Sequence, residues 1–202
     1  MYDGSEGTTP RELFVEKKSR WADELHELIP KPCRDRPFVC DGPPEKCDVV
    51  VIGENPGTKI KNDWWCFWDK KGFDLAKFER AYIEARRLAN RRRPIGPARL
   101  RLDRLRFNGL KCLETNVFRN EQLGGAGDGV SNKEFLRTFI DYRHLPELKA
   151  VIVHGVVAQK EWRRLELPLP TGVQIHFMGH FSRIVSYEDI DEVSRKIQNA
   201  SR

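Results

Sequence analysis

The chain has 202 residues, with 36 Lys and Arg against 30 Asp and Glu and a formal net charge of +6. It holds no run of about 18 apolar residues and no signal-peptide pattern, which argues against a membrane span or export. A cytoplasmic monomer with one domain over residues 1–202 is expected, because the length suits a single core and no long polar linker interrupts it. Five cysteines are an odd set. Cys33, Cys40 and Cys47 recur every seven residues, unlike the C-x-x-C pairs of zinc sites, so reduced thiols and no metal are expected.

In chain order, Thr9, Pro10 and Glu12 open a helix by capping and by proline's fit to the first turn, and the helix is predicted to reach about Leu28. Residues 30–47 carry five prolines and read as an extended approach to the first core strand. Val49 to Ile52 are β-branched without a polar break, as in a strand buried on both faces of a parallel sheet. Gly53, Glu54, Asn55, Pro56 and Gly57 then form a tight polar turn. Trp64, Trp65, Phe67 and Trp68 are too crowded to share one helix face.

Phe73 to about Arg93 has helical spacing with a basic far end, and Pro94 and Pro97 stop it. A short helix is predicted around Leu100 to Phe107 and a strand from Lys111 to Val117. Gly124, Gly125, Gly127 and Gly129 read as a flexible loop. Ser131 with Glu134 reads as a capping box for a helix to about Tyr142. Ala150 to Val153 is a second buried strand, followed by a helix from Val156 to about Leu165. Val173 to Met178 is the next strand, and Ser186 with Asp189 caps a final helix to about Gln198. Strands alternating with helices predict an α/β fold, a three-layer α/β/α sandwich around a parallel sheet of about four strands.

In such a sheet the strand ends lie along one edge, so Glu54 and Asn55, Asn116, and His180 with Ser182 are expected to meet in one crevice. A carboxamide both donates and accepts, which suits the edge of a nucleobase. Histidine can donate to an oxygen that gains negative charge. The arginines from Arg86 to Arg106 either lie on a solvated helix face or neutralise phosphates, which would make DNA affinity salt-sensitive. His154 and His176 are read as strand or turn histidines without a catalytic part.

G-E-N-P-G at 53–57, E-T-N-V-F at 114–118, V-I-V-H-G-V-V-A-Q at 151–159 and H-F-S at 180–182 occur in an order that resembles the uracil-DNA glycosylase superfamily. The first motif looks like a hybrid of that family's mismatch-specific and thermostable iron-sulfur branches, and Phe181 stands where the family has proline. The resemblance implies hydrolysis of the N-glycosidic bond of uracil or a related base flipped out of DNA, for base excision repair. It implies that Asn55 places the attacking water, with Glu54 as the competing base, and that His180 stabilises the leaving base. Asn116, Gly53 and Phe67 would bind the base. Phe67 follows Gly53 by fourteen residues, with Trp65 and Trp68 as rivals. Gly57, Ser182 and Arg183 would contact DNA, and Ile184 would fill the emptied stack. The iron-sulfur branch's cysteines are missing, Arg119 and Asn120 standing where one would fall, so no cofactor is expected. The alternatives are a relative that binds nucleic acid or a nucleobase without cleaving it, and a hydrolase of a phosphorylated small molecule.

Overall fold

Four β-branched residues in succession need cover on both faces, and β2 (Val49–Gly53), buried at all five positions, lies at the centre of the sheet that supplies it. The computed structural model describes residues 24–119, 131–140 and 144–200. The start of the predicted N-terminal helix, the glycine-rich segment 124–129 and the predicted helix end at Tyr142 lie outside these. The chain forms two compact units, Met1–Lys31 and Pro32–Arg202. In the first, residues 24–28 are helical.

The second unit carries a five-stranded sheet in the order β1-β5-β2-β6-β7, where β1 is Phe38–Val39, β5 Cys112–Asn116, β6 Ala150–His154 and β7 Gln174–Met178. β5, β2, β6 and β7 run parallel. The fifth strand differs from the expectation: β1 belongs to the proline-rich approach and pairs antiparallel with β5, which places Pro37 and its carbonyl on the sheet's edge. Alternation along the strands sends Val49, Val51, Cys112, Ala150 and Ile152 to one face, where they pack with Leu102, Leu105, Ile190, Val193 and Ile197. Those leucines lie on α2 (Pro97–Phe107) and the others on α5 (Tyr187–Asn199). On the opposite face Thr115 accepts a hydrogen bond from Asn132 Nδ2 at 3.0 Å, just before α3 (Lys133–Phe139). Helices flank the sheet as an α/β/α sandwich.

Local chemistry explains several boundaries. α1 is Leu75–Leu88, shorter than Phe73 to Arg93, because the Asp74 carboxylate accepts from Lys77 N–H and fixes the start. Gly72–Phe73 is instead β4, paired with β3 (Trp68–Asp69). The crowded aromatics form a 3-10 turn, Trp64–Phe67, capped by Asp63, and Trp64 packs edge-on against Phe38 at 4.9 Å. α2 begins at Pro97, proline fitting the first helical turn. The Ser131 capping box does not form: Asn132 is the N-cap residue and Ser131 Oγ accepts from Lys133 N–H. The box at Ser186 and Asp189 does form. α4 is Val156–Leu165.

Cys33, Cys40, Cys47 and Cys112 are buried thiols, whereas Cys66 is exposed. Burial pushes the thiols of Cys33, Cys40 and Cys112 above their ordinary value. No helix among the described residues is long and apolar enough to cross a membrane.

Candidate functional site at the switch point of the sheet

The chain leaves β2 toward β5 on one side and leaves β6 toward β7 on the other, so the adjacent strands β2 and β6 bound a topological switch point, where α/β sheets open a crevice. Register sets what meets there. Gly53 is opposite Asn116, Ile52 is opposite Val153, and His154 follows at the tip of β6. A Cβ on Gly53 would lie 2.8 Å from Asn116 Oδ1 and 3.0 Å from His154 Nε2. Side chains from both neighbouring strands therefore converge above a position that only glycine can occupy without displacing them.

A cleft of about 270 Å³ opens over this edge, lined by Glu54, Asn55, Asn116, His154, His180 and Ser182. Gly57 also lines it, with open space where its side chain would be. Gly53 O and Glu54 O accept from Val117 and Phe118 N–H, both at 3.0 Å, which ties the polar turn to the end of β5.

His180 follows β7 and is held in a local turn, its carbonyl accepting from Arg183 and Ile184 N–H at 3.0 Å. Its Nδ1 lies 3.2 Å from Ser182 N–H and 2.7 Å from Ser182 Oγ. A backbone N–H can only donate, so Nδ1 must accept, and a neutral imidazole then carries its proton on Nε2. Burial and the Arg183 charge lower the pKa of His180, and Glu54 opposes them, leaving it below the usual histidine value. At neutral pH His180 is an uncharged donor.

His154, whose sequence context predicts a turn histidine without a catalytic part, lines the cleft. It is 8% exposed, and burial with the neighbouring His180 lowers its pKa to about 3. Its Nδ1 is buried without a hydrogen-bond partner. Phe181 is fully buried and stacks on it at 4.1 Å with an interplanar angle of 10°, while His180 meets it edge-on at 5.4 Å. The phenylalanine of H-F-S therefore has a local partner, the histidine of V-I-V-H-G. Gly155, at φ +90, lets the chain pass His180, since a Cβ there would come within 2.9 Å of its Cδ2.

Other expected residues lie at the mouth or outside. Ile184 is 75% exposed and Arg183 is exposed on the same turn. Phe67 is not in the cleft. It is buried against Phe73 and Phe78, because the 3-10 turn rotates it toward the aromatic core, and it borders a separate hollow. Tyr82 is an aromatic ring that does line the cleft, and its hydroxyl accepts from Gly96 N–H at 3.3 Å.

The arginine-rich stretch is partly internal, so it is neither a solvated face nor a phosphate-binding face throughout. Arg99 and Arg106 both donate to Glu114 Oε1, and Arg99 and Glu114 line the cleft. Burial raises the Glu114 carboxyl, but the two guanidiniums outweigh it and hold the pKa below the ordinary glutamate value. Arg104 forms a bidentate pair with Asp191, both contacts at 2.7 Å. The signal for Glu114 was its alternation with Cys112 and Asn116, which puts it on the Val49 and Val51 face.

Fold and cleft together define an α/β protein with a polar candidate ligand site at the switch point of its sheet. No protein-family model matches the chain, and no curated protein matches it. Among solved structures, it is similar to a solution NMR structure from Methanosarcina acetivorans, provisionally assigned there as a uracil DNA glycosylase, at 15% identity with a TM-score of 0.39. That likeness covers 82% of this chain and 98% of that chain. The chemistry of the cleft rests on its own residues.

Proposed function

We propose that this protein is a DNA glycosylase that hydrolyses the N-glycosidic bond of uracil or a related base turned out of DNA. The observation that carries the reading is the convergence of Glu54, Asn55, Asn116 and His180 in one cleft. Breaking the bond leaves positive charge on the sugar and negative charge on the base, so a donor fixed near the base oxygen stabilises the transition state more than the substrate. His180 Nε2–H is that donor, held by Ser182 on the other ring nitrogen. Asn116 reads the base edge above Gly53, beside His154 Nε2. Asn55 orients the water that attacks the sugar carbon as the base leaves, and Glu54 is the carboxylate in the cleft able to take the water's proton. Tyr82 takes the stacking role expected of Phe67. Gly57, Ser182 and Arg183 face the DNA, and Ile184 fills the gap left by the flipped base, offsetting part of the few kcal/mol of lost stacking.

Base release from labelled single-stranded, U:A, U:G, T:G and hypoxanthine oligonucleotides tests this. Release of at least one base is expected, reduced by about 10²–10³ in His180→Ala, the scale for losing one such donor. Activity that survives Asn55→Ala but not Glu54→Gln would move water activation to Glu54. Oligonucleotide binding with no release from any substrate would refute the enzyme in favour of a non-cleaving binder.

A further inference from the structure

We infer that the hollow beside the cleft holds the phosphodiester of the nucleotide next to the one in the cleft, on the same DNA strand; this rests on the reading above. The hollow measures about 330 Å³, and its lining includes Arg34, Arg36, Lys59 and Arg119 with a single acid, Asp35. It shares Arg36 and Thr58 with the cleft, so a strand leaving one enters the other. Arg36 N–H donates to Arg119 O at 3.2 Å, which brings two arginine-bearing segments to one rim. Arg34 and Lys59 are exposed and carry no ion pair among the described residues. The Nε of Arg119 is buried without a partner. Trp64, Phe67 and Phe78 wall the hollow and are themselves buried. Low-dielectric walls behind charges of one sign focus their field outward. These are the features of an anion subsite, and its continuity with the cleft favours a chain phosphate over a free one.

The test measures binding, not catalysis. Fluorescence anisotropy of a labelled deoxyuridine pentanucleotide and a labelled single deoxynucleotide is followed across a KCl series, for wild type and for Arg34→Ser/Lys59→Ser, two exposed positions that the fold does not need. For the pentanucleotide, the slope of log K against log salt should fall by about 1.4 in the variant, from two contacts at about 0.7 each on a single strand. The single deoxynucleotide should bind both proteins equally. An unchanged pentanucleotide slope, equal weakening of both ligands, or competition by inorganic phosphate as effective as by the pentanucleotide would overturn the inference. A protein that shows the expected slope change but releases no base would sink the glycosylase reading and leave the hollow's role standing.

Discussion

Replacing Glu114 by alanine should cost the fold far more than removal of any surface carboxylate. Glu114 is 8% exposed and Arg99 6%, and the Arg106 side chain is 17% exposed. Both guanidiniums donate to the same carboxylate oxygen, and the Nε of each is already buried without a partner. Removing the carboxylate leaves the buried Arg99 without an anion and Arg106 with only Asp103, 3.2 Å away, and breaking a buried pair from one side costs about 3–5 kcal/mol. For a chain of this size that lowers Tm by roughly 6–20 °C, at about 2–4 °C per kcal/mol. Urea unfolding followed by tryptophan fluorescence measures the loss. Glu134→Ala is the control, because its carboxylate is 77% exposed and 3.9 Å from Arg137, and its change should stay within about 0.5 kcal/mol. The pH dependence gives a second arm. The folded carboxyl titrates below its ordinary value near 4.5, so below that pH the unfolded chain takes up a proton that the folded one refuses. Stability from the triad is full above the unfolded value and is lost as pH falls through the folded one. The gap between wild type and Glu114→Ala should therefore narrow in acid. A loss under about 1 kcal/mol at neutral pH with an unchanged m value would refute the buried triad.

His154 should make its own mark on acid stability. The unfolded imidazole takes up a proton near pH 6.5 and the folded one only near 3, so between those values it removes up to about 1.4 kcal/mol of stability per pH unit of acidification; His154→Phe should abolish that slope in urea titrations at pH 4 to 6, and a slope equal to wild type would place the ring in water. Gly53→Ala puts a methyl 2.8 Å from Asn116 Oδ1 and 3.0 Å from His154 Nε2; about 1–3 kcal/mol of destabilisation is expected from overpacking, with loss of base release, and an unperturbed imidazole signal for His154 by NMR would contradict the convergence. Phe181→Ala removes a fully buried ring stacked on His154; about 3–5 kcal/mol should be lost in thermal unfolding, and a change within about 0.5 kcal/mol would mean the stack does not support the H-F-S turn.

Where hydrophobic period and turn chemistry agree, the sequence speaks plainly. Val49 to Ile52 and Ala150 to Val153 read as buried strands, and their ends, with those of Lys111 to Val117 and Val173 to Met178, place Glu54, Asn55, Asn116 and His180 along one edge. Phe67 was harder, because counting residues from Gly53 ignores the 3-10 turn that sets which way each of four crowded aromatics points. The arginines misled for a physical reason. A basic run with helical spacing reads as a wet face unless an internal acid is recognised, and Glu114 looks ordinary until its strand's alternation is set against that of β2. His154 was invisible as a cleft residue because its neighbours, Gly53 and Phe181, are about a hundred and about thirty positions away in sequence. β1 is not legible in the sequence because two residues are too few to show a period.

The uneven burial of the cysteines has a practical consequence. Four thiols are shut away, and burial suppresses ionisation at Cys33, Cys40 and Cys112, so a maleimide dye at neutral pH should find Cys66 first. That residue lies between Trp64 and Phe67, two walls of the basic hollow, and its carbonyl is tied to Lys77 Nζ at 2.7 Å. The chain thus comes with its own attachment point for an optical reporter, one position along the chain from Phe67 and outside the residues that line the cleft.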